Sequence, residues 1–144
     1  MSTVLRQAVR EDIPGMHRVR LAVAENKLTS PDVTEAAYAP AIEHTGRGWV
    51  IDVNGEVVAF AIGNKETGNI WALFVDPKYE GRGHGRRLLE AMMSWLFSVG
   101  VPRAWLSTER GTRAQAFYQA AGWAYMGVLA NGEASYELHN PKAR

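Results

Sequence analysis

The sequence predicts one mixed α/β domain over residues 1–144, with the element order β-α-α-β-β-β-α-β-α-β-β and therefore about seven strands. Three observations carry that prediction. Short apolar runs flank two Asn-Gly pairs, Asn54-Gly55 and Asn131-Gly132, the strongest short signal for a hairpin. Between the strand-like runs lie segments whose apolar residues recur at helical spacing. One apolar run, at 70–75, leads through a glycine-dense turn straight into an amphipathic helix.

In chain order, residues 4–8 read as a first strand. Asp12 is placed to cap a helix whose apolar positions are Ile13, Met16, Val19 and Val23. Residues 26–31 form a polar break, and a second helix is expected from near Thr34, its length left open by Pro40. Strands at 49–53 and 56–62 flank the first Asn-Gly turn, and another turn follows at 65–69. Ile70, Trp71, Ala72, Leu73, Phe74 and Val75 make a near-continuous apolar strand of the kind buried on both faces, and Pro77 ends its ladder. The next helix puts Leu88, Leu89, Met92, Met93, Leu96 and Phe97 on one face and stops at Gly100. A strand at 104–107, a helix at 112–121 ended by Gly122, and strands at 125–129 and 135–138 complete the order. Residues 141–144 read as a frayed tail.

Composition excludes several classes of function. With 47% hydrophobic and 22% charged residues the chain is ordinary globular material. A net charge of +1 lacks the basic surplus of a general nucleic-acid binder. The absence of cysteine removes disulfides, thiolate metal sites and a cysteine acyl-enzyme. His17, His44, His84 and His139 show no ligand spacing, so no metal is expected. No apolar run approaches membrane-spanning length and no signal-peptide pattern opens the chain, which makes a cytoplasmic location without membrane partners the default expectation.

The glycine turn carries the chemistry. Gly81, Gly83 and Gly85 remove the Cβ atoms that would keep a ligand off the main chain, so successive N–H groups can converge on an anion. The following helix adds its unpaired first-turn donors and the positive end of its dipole. Arg82, Arg86 and Arg87 add fixed positive charge suited to several phosphates. A Walker loop is excluded because no Lys-Ser or Lys-Thr follows, and the dinucleotide fingerprint fails because its third glycine would fall on Leu88 or Arg86. What remains, Arg82-Gly83-His84-Gly85 after Val75-Asp76-Pro77, resembles motif A of the GCN5-related N-acetyltransferases, the GNAT superfamily. A second segment, Ala114-Gln115-Ala116-Phe117-Tyr118-Gln119-Ala120-Ala121-Gly122-Trp123, is similar to that family's A-x-x-F-Y-x-x-x-G-[FW] motif. The resemblance runs from about Trp49 to about Leu138.

It implies a strongly twisted sheet with helices on both faces, acetyl-coenzyme A as acyl donor, and direct transfer to a primary amine of a small molecule or peptide in a ternary complex. A homodimer through the last strands is a further implication. By position, the N–H of Leu73 would meet the acyl oxygen, Val75 would bond the pantetheine amides with Phe74 also in the cofactor site, and Gly81, Arg82, Gly83, His84, Gly85 and Arg86 would hold the diphosphate. His84 is expected to be an exposed spacer whose amide matters more than its ring. Tyr118 falls where the family places a hydroxyl near the sulfur. A thiol near pKa 8.5 and a phenol near 10 put full proton donation about 2 kcal/mol uphill, so hydrogen bonding to sulfur and general-acid catalysis both stay open.

Three positions depart from the family pattern: Glu80 stands for its Gln or Arg, Gly111 for its Asn, and Asn69 for the Glu that many relatives use as a base. An amine acceptor must lose a proton before it attacks. Glu25, Glu109 and Glu133 are the carboxylates expected on the acceptor side, with Glu25 and Asn26 favoured, while Asn69 can hold a water and Trp71 is either an aromatic wall or core. The missing glutamate also motivates the alternative of an acyl-coenzyme A sensor without turnover.

Overall fold

A computed structural model describes residues 2–24 and 33–142. Its strands are β1 (Thr3–Gln7), β2 (Gly46–Val53), β3 (Glu56–Asn64), β4 (Ile70–Val75), β5 (Arg103–Thr108), β6 (Ala124–Val128) and β7 (Ala134–His139). Its helices are α1 (Ile13–Ala24), α2 (Tyr38–Glu43), α3 (His84–Ser98) and α4 (Arg113–Ala120). Element order and type agree with the sequence reading. The expected polar break at 26–31 and the end of the tail lie outside the described residues.

The strands form two antiparallel sheets, β1-β2-β3-β4 and β5-β7-β6. Among the described residues their strands pair only at one parallel bridge, Asn69 with Trp105. The parallel component of the mixed sheet is confined to that bridge, and beyond it β4 and β5 part. Helices cover both faces of the first sheet. Leu88, Met92 and Leu96 of α3, all fully buried, pack with Trp49, Ile51 and Ala61 on one face, joined by Tyr118 and Trp123. Met16, Val19, Tyr38 and Ile42 of α1 and α2 pack with Val50, Phe60 and Ile62 on the other. The second sheet joins the α3 side through Ala104, Leu106, Ala134 and Tyr136, so the alternate residues of β5, Trp105 and Ser107, face the α1 side.

Two expectations change. β4 is not buried on both faces: only Ile70 and Ala72 are, while Trp71, Leu73, Phe74 and Val75 stay partly exposed. An apolar run signals low water contact, but here one edge of the strand has no neighbour. Asp12 does not simply cap α1 either. A 3-10 turn at Arg10–Asp12 precedes the helix, and the Asp12 carboxylate accepts the Val9 N–H at 2.9 Å.

Asp12 also accepts two bonds from the Arg6 guanidinium, at 2.8 and 2.9 Å, and Arg6 reaches Asp52 as well. Burial pushes the Asp12 carboxyl up, but the bonds from Arg6 and Val9 outweigh it and hold it below the ordinary value of 3.8. A carboxylate depressed by folding contributes stability above its unfolded pKa and loses it as pH falls through the folded one. Asp12→Asn is therefore expected to lower Tm at neutral pH and to flatten the decline of Tm below about pH 4. Thermal melts from pH 7 to pH 2 check this, and an unchanged acid slope would clear Asp12 of the role.

Candidate active site

Strand alternation decides which backbone groups of β4 are available. The Asp76 N–H donates to the Val58 carbonyl at 2.8 Å, and Phe74 stands opposite Phe60 in the same register. In an antiparallel ladder the bonding direction alternates, so Phe74 and Asp76 face β3 whereas Leu73 and Val75 turn their N–H and C=O groups to the opposite edge. That edge is the gap left by β5. Of the three β4 residues expected along the donor, Leu73 and Val75 thus offer backbone groups, and Phe74 offers only its side chain on the α1 face.

The gap has a built origin. The Trp105 N–H donates to Gly68 O at 2.9 Å, its indole N–H to Thr67 O at 3.1 Å, and Asn69 Nδ2 to Trp105 O at 3.4 Å. These bonds pin the strands at one end. Immediately beyond, Ile62 opposes Ala72 and Gly63 opposes Ile70, leaving Trp71 as the extra residue of a β-bulge. A bulge bends its strand and re-aims a side chain, and it sends Trp71 to the α1/α2 face. Asn69 is therefore the hinge of the gap. Trp71 meets Tyr38 edge-on at 5.3 Å and borders a cavity of about 210 Å³ with Ala37, Pro40, Ala41 and Thr45. A larger depression, about 520 Å³, lies beside Arg10, Glu43, Lys65 and Trp95, and no residue of β4 or β5 lines it.

At the other end of β4, Asp76 caps a 3-10 turn by accepting the Lys78 N–H at 3.0 Å, and Arg18 braces it from α1. The glycine turn follows. Gly81 and Gly83 have φ of +76° and +83°, and a Cβ on either would meet nothing within 4 Å, so the space over them is open. Gly85 differs: it sits in the first turn of α3, where a Cβ would touch Phe117 at 3.6 Å and Val75 at 3.8 Å. Among the described residues, none of the N–H groups from Gly81 to Arg86 has a protein acceptor. Arg82, Arg86 and Arg87 are exposed and have no carboxylate partner among the described residues, while Arg82 stacks on Tyr79 at 5.1 Å.

His84 departs from its expected exposure. It is 7% exposed, and its Nδ1 is buried without a partner. Burial, then the charges of Arg87 and Arg82, push the ring down from its ordinary value, so it is neutral at physiological pH and adds no charge to the turn. Glu80 does not face the turn as a free carboxylate, because Arg113 at the start of α4 donates to it. Gly111 has φ of +77°, which a glycine tolerates and an asparagine tolerates less readily, and its N–H donates to Gln115 Oε1 at 2.7 Å.

Tyr118 is packed between Phe117 and Trp123, 6% exposed, and its hydroxyl makes no hydrogen bond among the described residues. Burial pushes the phenol well above its usual range. That widens the mismatch with a thiol and favours hydrogen-bond donation over proton transfer. Of the acceptor-side carboxylates, Glu25, with Asn26, lies outside the described residues. Glu109 is exposed and lends only its carbonyl, to Thr112. Glu133 is half-buried and accepts the Ser107 hydroxyl at 2.6 Å. Had the ladder continued from the Asn69–Trp105 bridge, Ser107 would oppose Trp71. Ser107 and Arg20, which lies over Trp71 and Phe74, escaped the sequence reading because no motif marks them.

An open strand edge feeding into a row of unpaired amides can pair with an extended, amide-bearing chain and hold a phosphate group beside it. The class of protein this fits is the acyl-coenzyme A acyltransferases. The profile of the Acetyltransferase (GNAT) family matches residues 13–123, and the chain belongs to that family. It is 28% identical over 127 residues to the spermine/spermidine N(1)-acetyltransferase of Bacillus subtilis, covering 78% of this chain and 84% of that one. It is 33% identical over 88 residues to the mycothiol acetyltransferase of Beutenbergia cavernae, covering 57% of this chain but only 30% of that enzyme. The chain thus spans about a third of the latter's length. In fold it resembles the phosphinothricin acetyltransferase of Sinorhizobium meliloti solved with acetyl-coenzyme A, with a TM-score of 0.81 at 17% identity over 99% of this chain and 91% of that one. No helix among the described residues is long and apolar enough to cross a membrane.

Proposed function

We propose that this chain transfers the acetyl group of acetyl-coenzyme A directly to a primary amine of a small molecule or peptide. The observation that carries the reading is the set of N–H groups from Gly81 to Arg86 without acceptors among the described residues, with open space over Gly81 and Gly83 and beside three arginines that have no carboxylate partner there. Buried or convergent donors left unpaired are costly unless water or a ligand takes them. These residues would hold the diphosphate, and Leu73 and Val75 would bond the pantetheine arm through the gap edge of β4. Bound acetyl-coenzyme A supplies an activated acyl group and a thiol leaving group.

The chain's own groups then divide the work. The Leu73 N–H would point at the acyl oxygen as a fixed donor, a device worth about 3 kcal/mol. Tyr118 would donate a hydrogen bond to the sulfur while keeping its proton. Glu133, which accepts the Ser107 hydroxyl of β5, would take the proton of the attacking amine, directly or through a water. On this reading the base need not be a carboxylate at position 69.

Two measurements test the proposal. Acetyl-coenzyme A at 100 times its Kd is expected to add about 2.7 kcal/mol of stability, visible as a rise in Tm. Free thiol should then appear when the right amine is added from a panel. Tyr118→Phe should slow that release by about 10-fold, the loss of one hydrogen bond to a charged group. A flat Tm at millimolar coenzyme defeats the proposal, and a raised Tm with no thiol release for any amine would instead favour a sensor.

A further inference from the structure

We infer that Arg20 selects acceptors carrying a free carboxylate close to the amine, which makes the substrate class amino acids rather than polyamines; the inference rests on the acetyl-transfer reading above. Arg20 projects from α1 onto β4. Its guanidinium carbon lies 5.4 Å from the Trp71 ring centre and 4.9 Å from that of Phe74. Those residues flank Leu73, the residue whose N–H faces the gap. A cation therefore stands over the α1 face of the strand segment where the acyl group would lie. At roughly 3.3 Å per strand residue, Trp71 and Phe74 are only one or two residues from Leu73. An acceptor whose amine reaches the acyl carbon and whose anion reaches Arg20 must hold the two groups a few bonds apart.

The site is also incomplete as it stands. Among the described residues Arg20 Nη1 is buried with no hydrogen-bond partner, while the side chain as a whole is half-buried and keeps an edge toward solvent. Among the described residues no carboxylate forms an ion pair with Arg20, whereas Arg6, Arg10, Arg18, Arg103 and Arg113 each have at least one. The neighbouring polar groups do not supply the missing charge. Tyr38 is fully buried, and burial raises its phenol against the opposing charge of Arg20 and a hydrogen bond from it, so it stays a neutral partner; its hydroxyl also lies 3.2 Å from His17 Nδ1. Stacking on two rings steadies a guanidinium without neutralising it. A planar fork lying over two aromatic rings and lacking an anion among the described residues is suited to a carboxylate, which it can grip by two parallel hydrogen bonds. The same cation repels a polyamine.

The experiment compares matched pairs, free amino acids against their carboxamides, with spermidine as the cationic control, all by thiol release. The acid is expected to exceed its amide in kcat/KM by about 100-fold, with spermidine below both. Arg20→Gln should bring the ratio of acid to amide close to one, and Arg20→Lys, which keeps charge but loses the fork, should leave an intermediate ratio. Each ratio is internal to one variant, so partial loss of folded protein does not affect it, and the rise of Tm with acetyl-coenzyme A reports that the donor site is intact. Equal rates for acid and amide in the wild type, a preference for spermidine, no acylation of any acid despite coenzyme binding, or a ratio unchanged in Arg20→Gln would each overturn the inference. Absence of coenzyme binding defeats the acetyl-transfer reading instead.

Discussion

Leu73→Pro is expected to lower kcat by about 100- to 1,000-fold while coenzyme still binds, the magnitude typical of removing one donor from a developing oxyanion. The substitution is informative because of where that N–H points. Proline in a strand normally deletes a ladder bond. Here the Leu73 N–H faces the gap, so β3 and β4 keep their pairing, and Ala72 is already in the extended conformation that a residue before proline adopts. Leu73 also packs on the α3 side, which proline would weaken. Leu73→Ala is the matched control, since it loses the packing and keeps the donor. Phe74→Pro is the opposite control: its N–H faces β3, and its removal should unfold the protein or lower Tm steeply. A Leu73→Pro variant as fast as Leu73→Ala would remove the backbone donor from the mechanism.

Gly83→Val is expected to weaken coenzyme binding by about 100-fold or more, from losing two or three amide bonds to a charged ligand at about 1.5 kcal/mol or more each. Gly83 is the N-cap of α3 at φ +83°, a conformation that costs an L-residue about 1–2 kcal/mol. The valine has room in the empty protein, because nothing lies within 4 Å of the added Cβ. The loss is therefore not a steric clash with the fold. It comes from strain that turns the amides away and from side-chain atoms in the space over the turn. Gly100→Val separates the two: Gly100 has φ +94° and the same open surroundings, but lies at the far end of α3. It should lower Tm by about 2–4 °C per kcal/mol of strain, as Gly83→Val does, and leave coenzyme affinity alone. Isothermal titration and thermal melts of both variants decide it. Equal coenzyme affinity in the two would empty the glycine turn of its assigned role.

Much of the fold is legible in the chain because its signals are local. The Asn54-Gly55 turn needs two residues of positive φ, and both have it. The α3 stripe from Leu88 to Leu96 is read from spacing, and Leu88, Met92 and Leu96 are fully buried. The turn at 81–85 is legible for the same reason, since glycine at 81 and 83 answers to backbone angles set over a few bonds. Where reading falls short, the cause lies in distant pairing. β2 begins at Gly46 rather than Trp49, because Gly46, Arg47 and Gly48 pair with Asn64, Gly63 and Ile62 of β3 and need no apolar pattern of their own. His84 looked like a spacer between glycines, yet the start of α3 carries its ring inward to 7% exposure.

The order of elements, the glycine turn and the membership they imply were determined by the sequence itself, since each depends on residues within a few positions of one another. Only the tertiary structure decided that β4 is half-open, that Leu73 and not Phe74 turns its amide to the gap, that Glu133 meets Ser107, and that Arg20 lies over Trp71 and Phe74. Strand parity, a single bulge and the crossing of α1 over β4 set those facts. They depend on which distant segments pair and in what register, and alternation then propagates that one choice to every side chain along the strand.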